Sequence, residues 1–272
     1  MIKKSFKDLD KIFPTPAKVD KYGQMDPLSF YCNVIPISQK IRFKLGYFST
    51  NAIRLLASGF ARFIYNNGHA EFMINQFVNS KDYQLLNREN KLNEVEIKLI
   101  ESSYLNDLEE LQKILKETKS NFFSCLRYLL ERQKLNIIPV TCADGEMSHY
   151  KEAIFTDFKG NSIYINGSCN FTQSGIIDNG ESFLINRSWK NAEDKALVES
   201  EMMHFDKIFS KTATNEFIYL HPKNLEEVIY KEGIGKDLSE LLEDEQTLLK
   251  KLAKRKNISN ILKNQEVELL DE

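Results

Sequence analysis

The first part of the chain alternates between short apolar runs and longer segments whose apolar residues are spaced three and four positions apart. Residues 40–50 predict a strand that ends in a turn, and residues 51–65 have the apolar spacing of a helix. The Asn-Asn-Gly sequence at 66–68 should stop that helix, and the apolar run 70–75 predicts a second strand. Strand, helix and strand in succession indicate the first half of a βαβ unit in an α/β layer.

The segments on either side of this unit have different patterns. Up to Pro27 the chain contains three of its six prolines and has little periodicity, which predicts an extended arm pinned to a surface. Between residues 83 and 132, leucines and isoleucines recur at helical intervals amid dense mixed charge. We therefore expect a helical insertion of two or three helices at about 83–132.

Strand-like runs return after this insertion. Four strands are predicted, and a turn at 158–161 joins the middle two into a hairpin. They cover residues 135–141, 151–157, 162–166 and 182–186. A helix at about 192–209 and a short strand at 216–220 follow them.

The last part of the chain is predicted to be helical. From Leu238 onward, leucines share one helical face, the first half is acidic, and a basic cluster lies at 250–256. Such a helix either docks on a partner, for which we expect a helicase-like protein, or packs on its own domain. The sequence leaves both alternatives open.

Composition excludes several classes of protein. The 272 residues include 37 Lys and Arg against 39 Asp and Glu, which gives a net charge of -2 and excludes a general polyanion-coating protein. With 42% hydrophobic residues the chain can bury a core and is not disordered. Its four cysteines form no CxxC pair, so neither a zinc cage nor a disulfide framework is indicated. Without an apolar signal segment or a run long enough to span a bilayer, we expect a cytoplasmic protein.

Polar residues gather at the ends of the predicted strands. His149 and Lys151 are two positions apart at the start of one strand, so both side chains should leave the same face. Ser168 and Asn170 repeat that spacing at the end of the partner strand, and Glu181 comes at the start of the next strand. Imidazole, ammonium, hydroxyl, amide and carboxylate groups together are suited to phosphoryl transfer without a metal.

These residues also resemble a known signature. The HxK sequence at 149–151 and the GSxN sequence at 167–170 look like the motif of the phospholipase D superfamily, in the spacing of its single-motif nucleases. The segments 46–68 and 179–194 resemble the phospholipase D-like domain linked to restriction and anti-phage helicases. The likeness covers about residues 30–222.

The resemblance implies an α/β fold with a mixed β-sheet flanked by helices. It implies a phospholipase D-like nuclease domain at 1–222, which contains the helical insertion, and leaves a C-terminal helical extension at 223–272. It also implies a metal-independent phosphodiesterase, without cofactor, that works through a phosphohistidine intermediate.

Each candidate residue takes a part in that implied chemistry. His149 would attack phosphorus and a second imidazole would protonate the leaving oxygen. Lys151, Ser168 and Asn170 would hold the non-bridging oxygens, and Glu181 would orient His149. Since the chain offers one complete motif, the second should come from another subunit, which predicts a homodimer with a composite active site.

Other histidines and one acidic residue need separate interpretation. The superfamily usually has Asp five residues after the lysine, where this chain has Thr156 and then Asp157, so the sequence leaves the role of Asp157 open. A second HxK, at 221–223, has no GSxN partner and is expected only to begin a helix. His69 and His204 are expected to be ordinary surface or boundary residues.

Nucleic acid, DNA before RNA, is the expected substrate, in a bacterial restriction or anti-phage system. Lys40, Arg42 and Lys44, or the basic cluster at 250–256, could form a phosphate-binding stripe or simply a solvated face. The alternatives are a non-catalytic subunit that binds DNA or a helicase, and a phospholipid-acting enzyme. The sequence contains no Walker A motif, so an ATP-driven step would belong to a helicase or ATPase partner.

Overall fold

The computed structural model describes residues 4–20, 22–45, 59–75, 121–143, 151–167 and 182–256. These residues form one mixed sheet of eight strands flanked by helices, which confirms the predicted α/β class. The strands are β1 Lys18–Asp20, β2 Ser38–Leu45, β3 His69–Asn75, β4 Leu135–Cys142, β5 Lys151–Asp157, β6 Ser162–Gly167, β7 Ser182–Arg187 and β8 Phe217–Tyr219.

The helices of the described chain lie between and after these strands. They are α1 Pro27–Val34, α2 at 59–65, α3 Asn121–Glu131, α4 Ala192–Phe209, α5 Lys223–Glu232 and α6 Leu238–Lys256. Two short 3-10 helices, Phe6–Leu9 and Ile35–Ile37, precede β1 and β2. Of the predicted helical insertion, only α3 belongs to the described residues, and the remainder lies outside them.

The strand order is β1-β7-β6-β5-β2-β3-β4-β8. The pairs β2–β3 and β3–β4 are parallel and every other pair is antiparallel, so the predicted βαβ unit and the β5–β6 hairpin are both confirmed. The helix stop at 66–68 is confirmed too, because Asn67 has a φ of 61° and the Gly68 N–H bonds the Phe63 carbonyl at 2.9 Å.

One face of the sheet carries the main aromatic core. The rings of Phe43 and Phe72 stack with centroids 5.3 Å apart, and Phe155 meets Phe43 edge-on at 5.6 Å. Phe30 of α1 contacts Phe183 of β7 at 5.1 Å. Alternate residues of neighbouring strands thus point into one layer, which α1, α2 and α3 close.

The opposite face is crossed by α4, and its interface with the sheet combines apolar clusters with ion pairs. Only Val198, Phe205 and Ile208 of this 18-residue helix are fully buried. Val198 and Phe205 pack with Ile154 and Tyr164 of the sheet, and Ile208 packs with Met73, Ile138 and Val140. Charged side chains of β2, β3 and β5 form ion pairs beside this apolar seam.

The N-terminal arm is more integrated than the proline-rich sequence predicts. Phe6 and Val19 are fully buried, and β1 adds an edge strand to the sheet by pairing with β7. The Trp189 ring stacks on Phe6 with centroids 6.4 Å apart. A three-residue strand is too short to leave a periodic signal, so the sequence predicted only an extended arm.

The C-terminal helices share the main core. Leu241 and Leu249 of α6 are buried, and α6 packs against α3. Glu245 of α6 accepts the Ala61 N–H at 2.7 Å. This packing favours the alternative that α6 covers its own domain. Among the described residues, no helix combines the length and apolar character needed to cross a bilayer.

Candidate active site at one end of the sheet

The predicted motif adjoins, in sequence, the ends of three neighbouring strands, and these ends lie at the same end of the sheet. Lys151 is the first residue of β5, Gly167 is the last residue of β6, and Ser182 is the first residue of β7. Because β6 pairs antiparallel with both β5 and β7, these three strand ends lie side by side. The residues that adjoin them in sequence are the predicted site residues.

Most of those site residues lie outside the described part of the chain. His149 is two positions before β5, Ser168 and Asn170 are one and three positions after β6, and Glu181 is the residue before β7. Lys151 is the one predicted site residue that the structure describes. The ends of β5, β6 and β7 lie at or near the predicted positions in sequence, and the site itself stays a prediction.

Lys151 is half-buried and lies opposite Leu45 of β2. Strand alternation puts its side chain on the same face as Ala153 and Phe155, which belong to the aromatic core layer. Lys151 forms no ion pair with any carboxylate of the described residues.

The three basic residues of β2 behave differently. Lys40 and Arg42 pair with Glu71 at 3.0 and 2.8 Å, and Arg42 also pairs with Asp206 of α4 at 2.6 Å. Lys44, whose side chain is 2% exposed, pairs with Glu152 at 2.5 Å. These three basic residues neither form a solvated face nor offer an unpaired phosphate-binding stripe, because buried carboxylates already bind them.

His204 has more partners than its sequence context predicts. The Lys44 Nζ lies 3.3 Å from its Nδ1, and its Nε2 lies 2.9 Å from Oε2 of Glu216. Since an ammonium group only donates, Nδ1 is the acceptor and Nε2 carries the hydrogen that Glu216 accepts. His204 therefore links β2 to the segment before β8; it has the exposure of a boundary residue, as expected, but the sequence did not predict these two partners.

Tyr164 of β6 lies beneath α4 in the same charged layer. Burial raises the pKa of its phenol, and the nearby carboxylates of Glu152 and Glu201 raise this pKa further. Asn166 Nδ2 donates to the phenolic oxygen at 3.1 Å. The raised pKa keeps the phenol protonated well above neutral pH.

Asp157 lies at the other end of β5 from Lys151, so it belongs to the hairpin turn and not to the site. Its Oδ2 accepts the Ser5 hydroxyl at 2.7 Å and the Phe6 N–H at 2.8 Å, and Oδ1 accepts the N–H groups of Lys159 and Asn161. Burial raises the pKa of Asp157, but hydrogen bonds from Asn161, Ser5 and Phe6 outweigh it and lower the pKa below the ordinary value. Asp157 fastens the N-terminal arm to the hairpin.

The structure also explains Thr156 and the second HxK sequence, at 221–223. Thr156, at the position of the usual superfamily Asp, places its hydroxyl 2.9 Å from that of Ser162 across the hairpin. Pro222 is the N-cap residue of α5, so the HxK at 221–223 begins a helix as predicted.

Gly167 of the GSxN sequence is required by backbone packing. A Cβ atom at this position would stand 2.5 Å from the Ser182 carbonyl oxygen and 2.6 Å from the Phe183 Cα. Both neighbours are backbone atoms of β7 and cannot turn away. Glycine therefore lets β6 and β7 approach closely where the motif begins.

Within the described ranges, no group of three or more His, Cys, Asp or Glu side chains could together hold a metal ion.

Comparison with known proteins gives limited information. No family model and no curated protein matches the chain. Among solved structures, the crystal structure of phosphatidylserine synthase from Haemophilus influenzae Rd KW20 aligns with a TM-score of 0.41 and 16% sequence identity, over 88% of this chain and 45% of that one. The chain thus spans less than half the length of that protein, and at this identity and TM-score the likeness carries no information about reaction or substrate.

Proposed function

We propose that the chain is a phosphodiesterase of the phospholipase D type that hydrolyses nucleic acid, with DNA as the first candidate. The observation that supports this most is the contrast between Lys151 and the other basic residues of the inner strands. Lys40, Arg42 and Lys44 are matched by carboxylates, whereas Lys151 stands without a described carboxylate partner at the strand end where the motif begins. A half-buried ammonium group in that position suits a phosphate oxygen.

In the proposed reaction, Nε2 of His149 attacks phosphorus and forms a phosphohistidine. The bond from phosphorus to the leaving oxygen breaks, and a second imidazole donates a proton to that oxygen. Water then attacks the phosphohistidine, gives its proton to the second imidazole and frees His149. Lys151, Ser168 and Asn170 would stabilise the charge on the non-bridging oxygens, and Glu181 would accept the other ring N–H of His149.

The second imidazole is proposed to come from a second copy of the chain. The HxK at 221–223 cannot supply it within the same subunit, because Pro222 and Lys223 begin α5 and no GSxN follows them. A two-fold interface would bring His149 of each subunit to one shared cleft. By resemblance, we further propose that this dimer is the nuclease of a bacterial restriction or anti-phage system that works with a helicase or ATPase.

The first experiment is incubation of the pure protein with plasmid and single-stranded DNA in EDTA. We expect cleavage in EDTA, and loss of cleavage in His149→Ala with an unchanged melting temperature. The matched control is Lys159→Ala, which removes an exposed lysine from the hairpin turn at the opposite end of the sheet. Cleavage that requires added Mg²⁺, or that survives in His149→Ala, would contradict the proposal.

If the parent protein forms an intact dimer but cleaves no DNA, the non-catalytic alternative is favoured. Turnover of phospholipid vesicles without turnover of DNA would favour the lipid alternative.

A mixing experiment tests the composite site. Heterodimers of wild-type and His149→Ala chains should have little activity, because a shared cleft would lack either the nucleophile or the acid. Activity in proportion to the wild-type fraction would show that each subunit is sufficient.

A further inference from the structure

Tyr22 is the most exposed large hydrophobic side chain in the described part of the chain. It is 84% exposed, and the next in rank, Ile234, is 61% exposed. Tyr22 comes two residues after the end of β1, in the turn that leads to α1. An exposed aromatic residue alone is unremarkable in a soluble protein, so its setting decides its interpretation.

The turn that carries Tyr22 is fixed by hydrogen bonds at both ends. Asp20 Oδ1 accepts the Tyr22 N–H at 2.9 Å, and the Asp20 carbonyl accepts the Gly23 N–H at 3.2 Å. The Asp20 N–H in turn donates to the carbonyl of Met25 at 3.1 Å, and the Met25 side chain is buried. A tyrosine ring on a fixed turn loses little conformational entropy when it binds, because it has only two side-chain torsions.

The turn lies at the candidate active-site end of the sheet. Asp20 is the register partner of Ser182, the residue that follows Glu181. From β1 to β5 the strand order is β1-β7-β6-β5, so three strand spacings separate the Tyr22 turn from Lys151. At about 4.8 Å per spacing this is about 14 Å, which a short stretch of nucleic acid can span.

We propose that Tyr22 stacks on an unpaired base close to the scissile phosphate, so that the substrate of this site is single-stranded nucleic acid. This inference rests on the proposed function and gives it a substrate class. Stacking on an aromatic ring accepts any base, because every base has a π-face, whereas a phospholipid headgroup offers none. The Asp20 carboxylate, which would repel phosphates, is paired with Lys18 at 3.4 Å.

The surroundings of Tyr22 favour a base over a lipid surface. Membrane-surface anchoring needs a set of neighbouring apolar side chains or a cluster of cations. In sequence the residues that flank Tyr22 are Asp20, Lys21, Gly23 and Gln24, which supply one cation and no apolar side chain.

Binding can be measured separately from catalysis by fluorescence anisotropy in a His149→Ala background. The probes are a labelled oligothymidine of about 12 nucleotides and a fully abasic oligonucleotide of the same length. Tyr22→Ala should raise the Kd for oligothymidine about 5- to 100-fold, whereas Tyr22→Phe should keep it within a factor of about two. With the abasic strand, Tyr22→Ala should have no effect, because the ring has no base to contact.

The matched control is Tyr65→Ala, which removes an exposed tyrosine at the last residue of α2, before the start of β3 at the opposite end of the sheet. It should leave both affinities unchanged. Equal binding of oligothymidine by Tyr22→Ala and the parent would overturn the stacking inference and leave the proposed function standing. Absence of oligonucleotide binding by every protein, the parent included, would overturn both. A loss of binding to phosphatidylglycerol vesicles in Tyr22→Ala, without an effect on oligothymidine, would reassign the ring to a lipid surface.

Discussion

Lys44 and Glu152 stand directly opposite each other on β2 and β5, and their Nζ and Oε2 atoms are 2.5 Å apart beneath α4. Each is one residue from the end of its strand, where Leu45 faces Lys151. Strand alternation sends Lys44 and Lys151 to opposite faces of the sheet. The two lysines therefore lie in different surroundings: Lys44 is paired with buried carboxylates, and Lys151 is the residue proposed to bind phosphate.

Replacement of Lys44 should affect stability. Lys44→Met removes the ammonium group between Glu152 and Glu201 and should lower the free energy of unfolding by about 3–5 kcal/mol. The double variant Lys44→Met/Glu152→Leu should recover most of this loss, because it also removes the unpaired buried charge. Denaturant titration of both variants measures the effect, and equal destabilisation by single and double variants would contradict this account.

Replacement of Lys151 should affect turnover. Lys151→Met keeps most of the side-chain volume and breaks no ion pair with the described residues, so the free energy of unfolding should change by less than about 1 kcal/mol. If Lys151 stabilises charge on the transferring phosphoryl group, the rate of DNA cleavage should fall about 100- to 1000-fold. Single-turnover kinetics beside thermal melting separates the two quantities. A stable variant that cleaves at the parent rate would remove Lys151 from the site.

Asp157 should matter for folding and not for catalysis. Asp157→Asn replaces an acceptor of several N–H and O–H groups by an amide that cannot accept them all, and should cost about 3 kcal/mol at pH 7. Because the folded-state pKa of Asp157 is lowered, its contribution is present above the ordinary pKa of 3.8 and is lost as the pH falls through the lowered value. Unfolding curves of parent and variant should therefore converge in acid. The turnover of folded Asp157→Asn should match that of the parent. A large loss of turnover would indicate that Asp157 acts in the active site.

Glu245 should make stability fall as the pH rises. Burial raises its pKa to about 7, although the Ala61 N–H and Arg62 act in the opposite direction. The folded state then keeps a proton between pH 4.5 and 7 that the unfolded state has released, so stability present below the ordinary pKa is lost as the pH rises through about 7. The loss is about 3 kcal/mol across this window. Glu245→Gln should abolish that part of the pH dependence, as urea titrations at pH 5 and pH 8 would show. An unchanged difference between the two pH values would refute the assignment.

Truncation after Lys236 should destabilise the protein. It removes Leu241, Glu245 and Leu249, which are buried against the rest of the chain. We expect a loss of the cooperative thermal transition or an aggregated product. A truncated chain that melts like the parent would show that α6 is dispensable for the fold. The alternative that α6 docks on a partner would then be favoured.

The sequence predicted the inner strands well, and the reason is local. Their apolar runs end at turn residues, and the β5–β6 hairpin includes a Gly160 with a φ of 78°, which glycine adopts readily. The site could be predicted as far as the strand ends, because spacing along a strand fixes which residues share a face. Lys151, Gly167 and Ser182 accordingly occupy the expected strand ends.

What the sequence did not predict depends on contacts between distant segments. His204 meets Lys44 from 160 positions away, and Asp157 meets Ser5 from 152 positions away. No pattern within a helix or a turn reports such partners. The sequence also did not predict that β2 and β5 are neighbours. These strands are far apart in sequence, and the two strands between them, β3 and β4, extend the sheet on the other side of β2.

The close approach of β6 and β7 at Gly167 has an evolutionary consequence. Backbone crowding demands glycine here whether or not the protein catalyses anything, because even a methyl group would meet the Ser182 carbonyl. A descendant that had lost its chemistry would be free to change Ser168 or Asn170 but would still be held to this glycine by its fold. Among relatives, retention of the glycine would therefore mark a shared fold, and retention of Ser168 and Asn170 would be expected only where the proposed activity is kept.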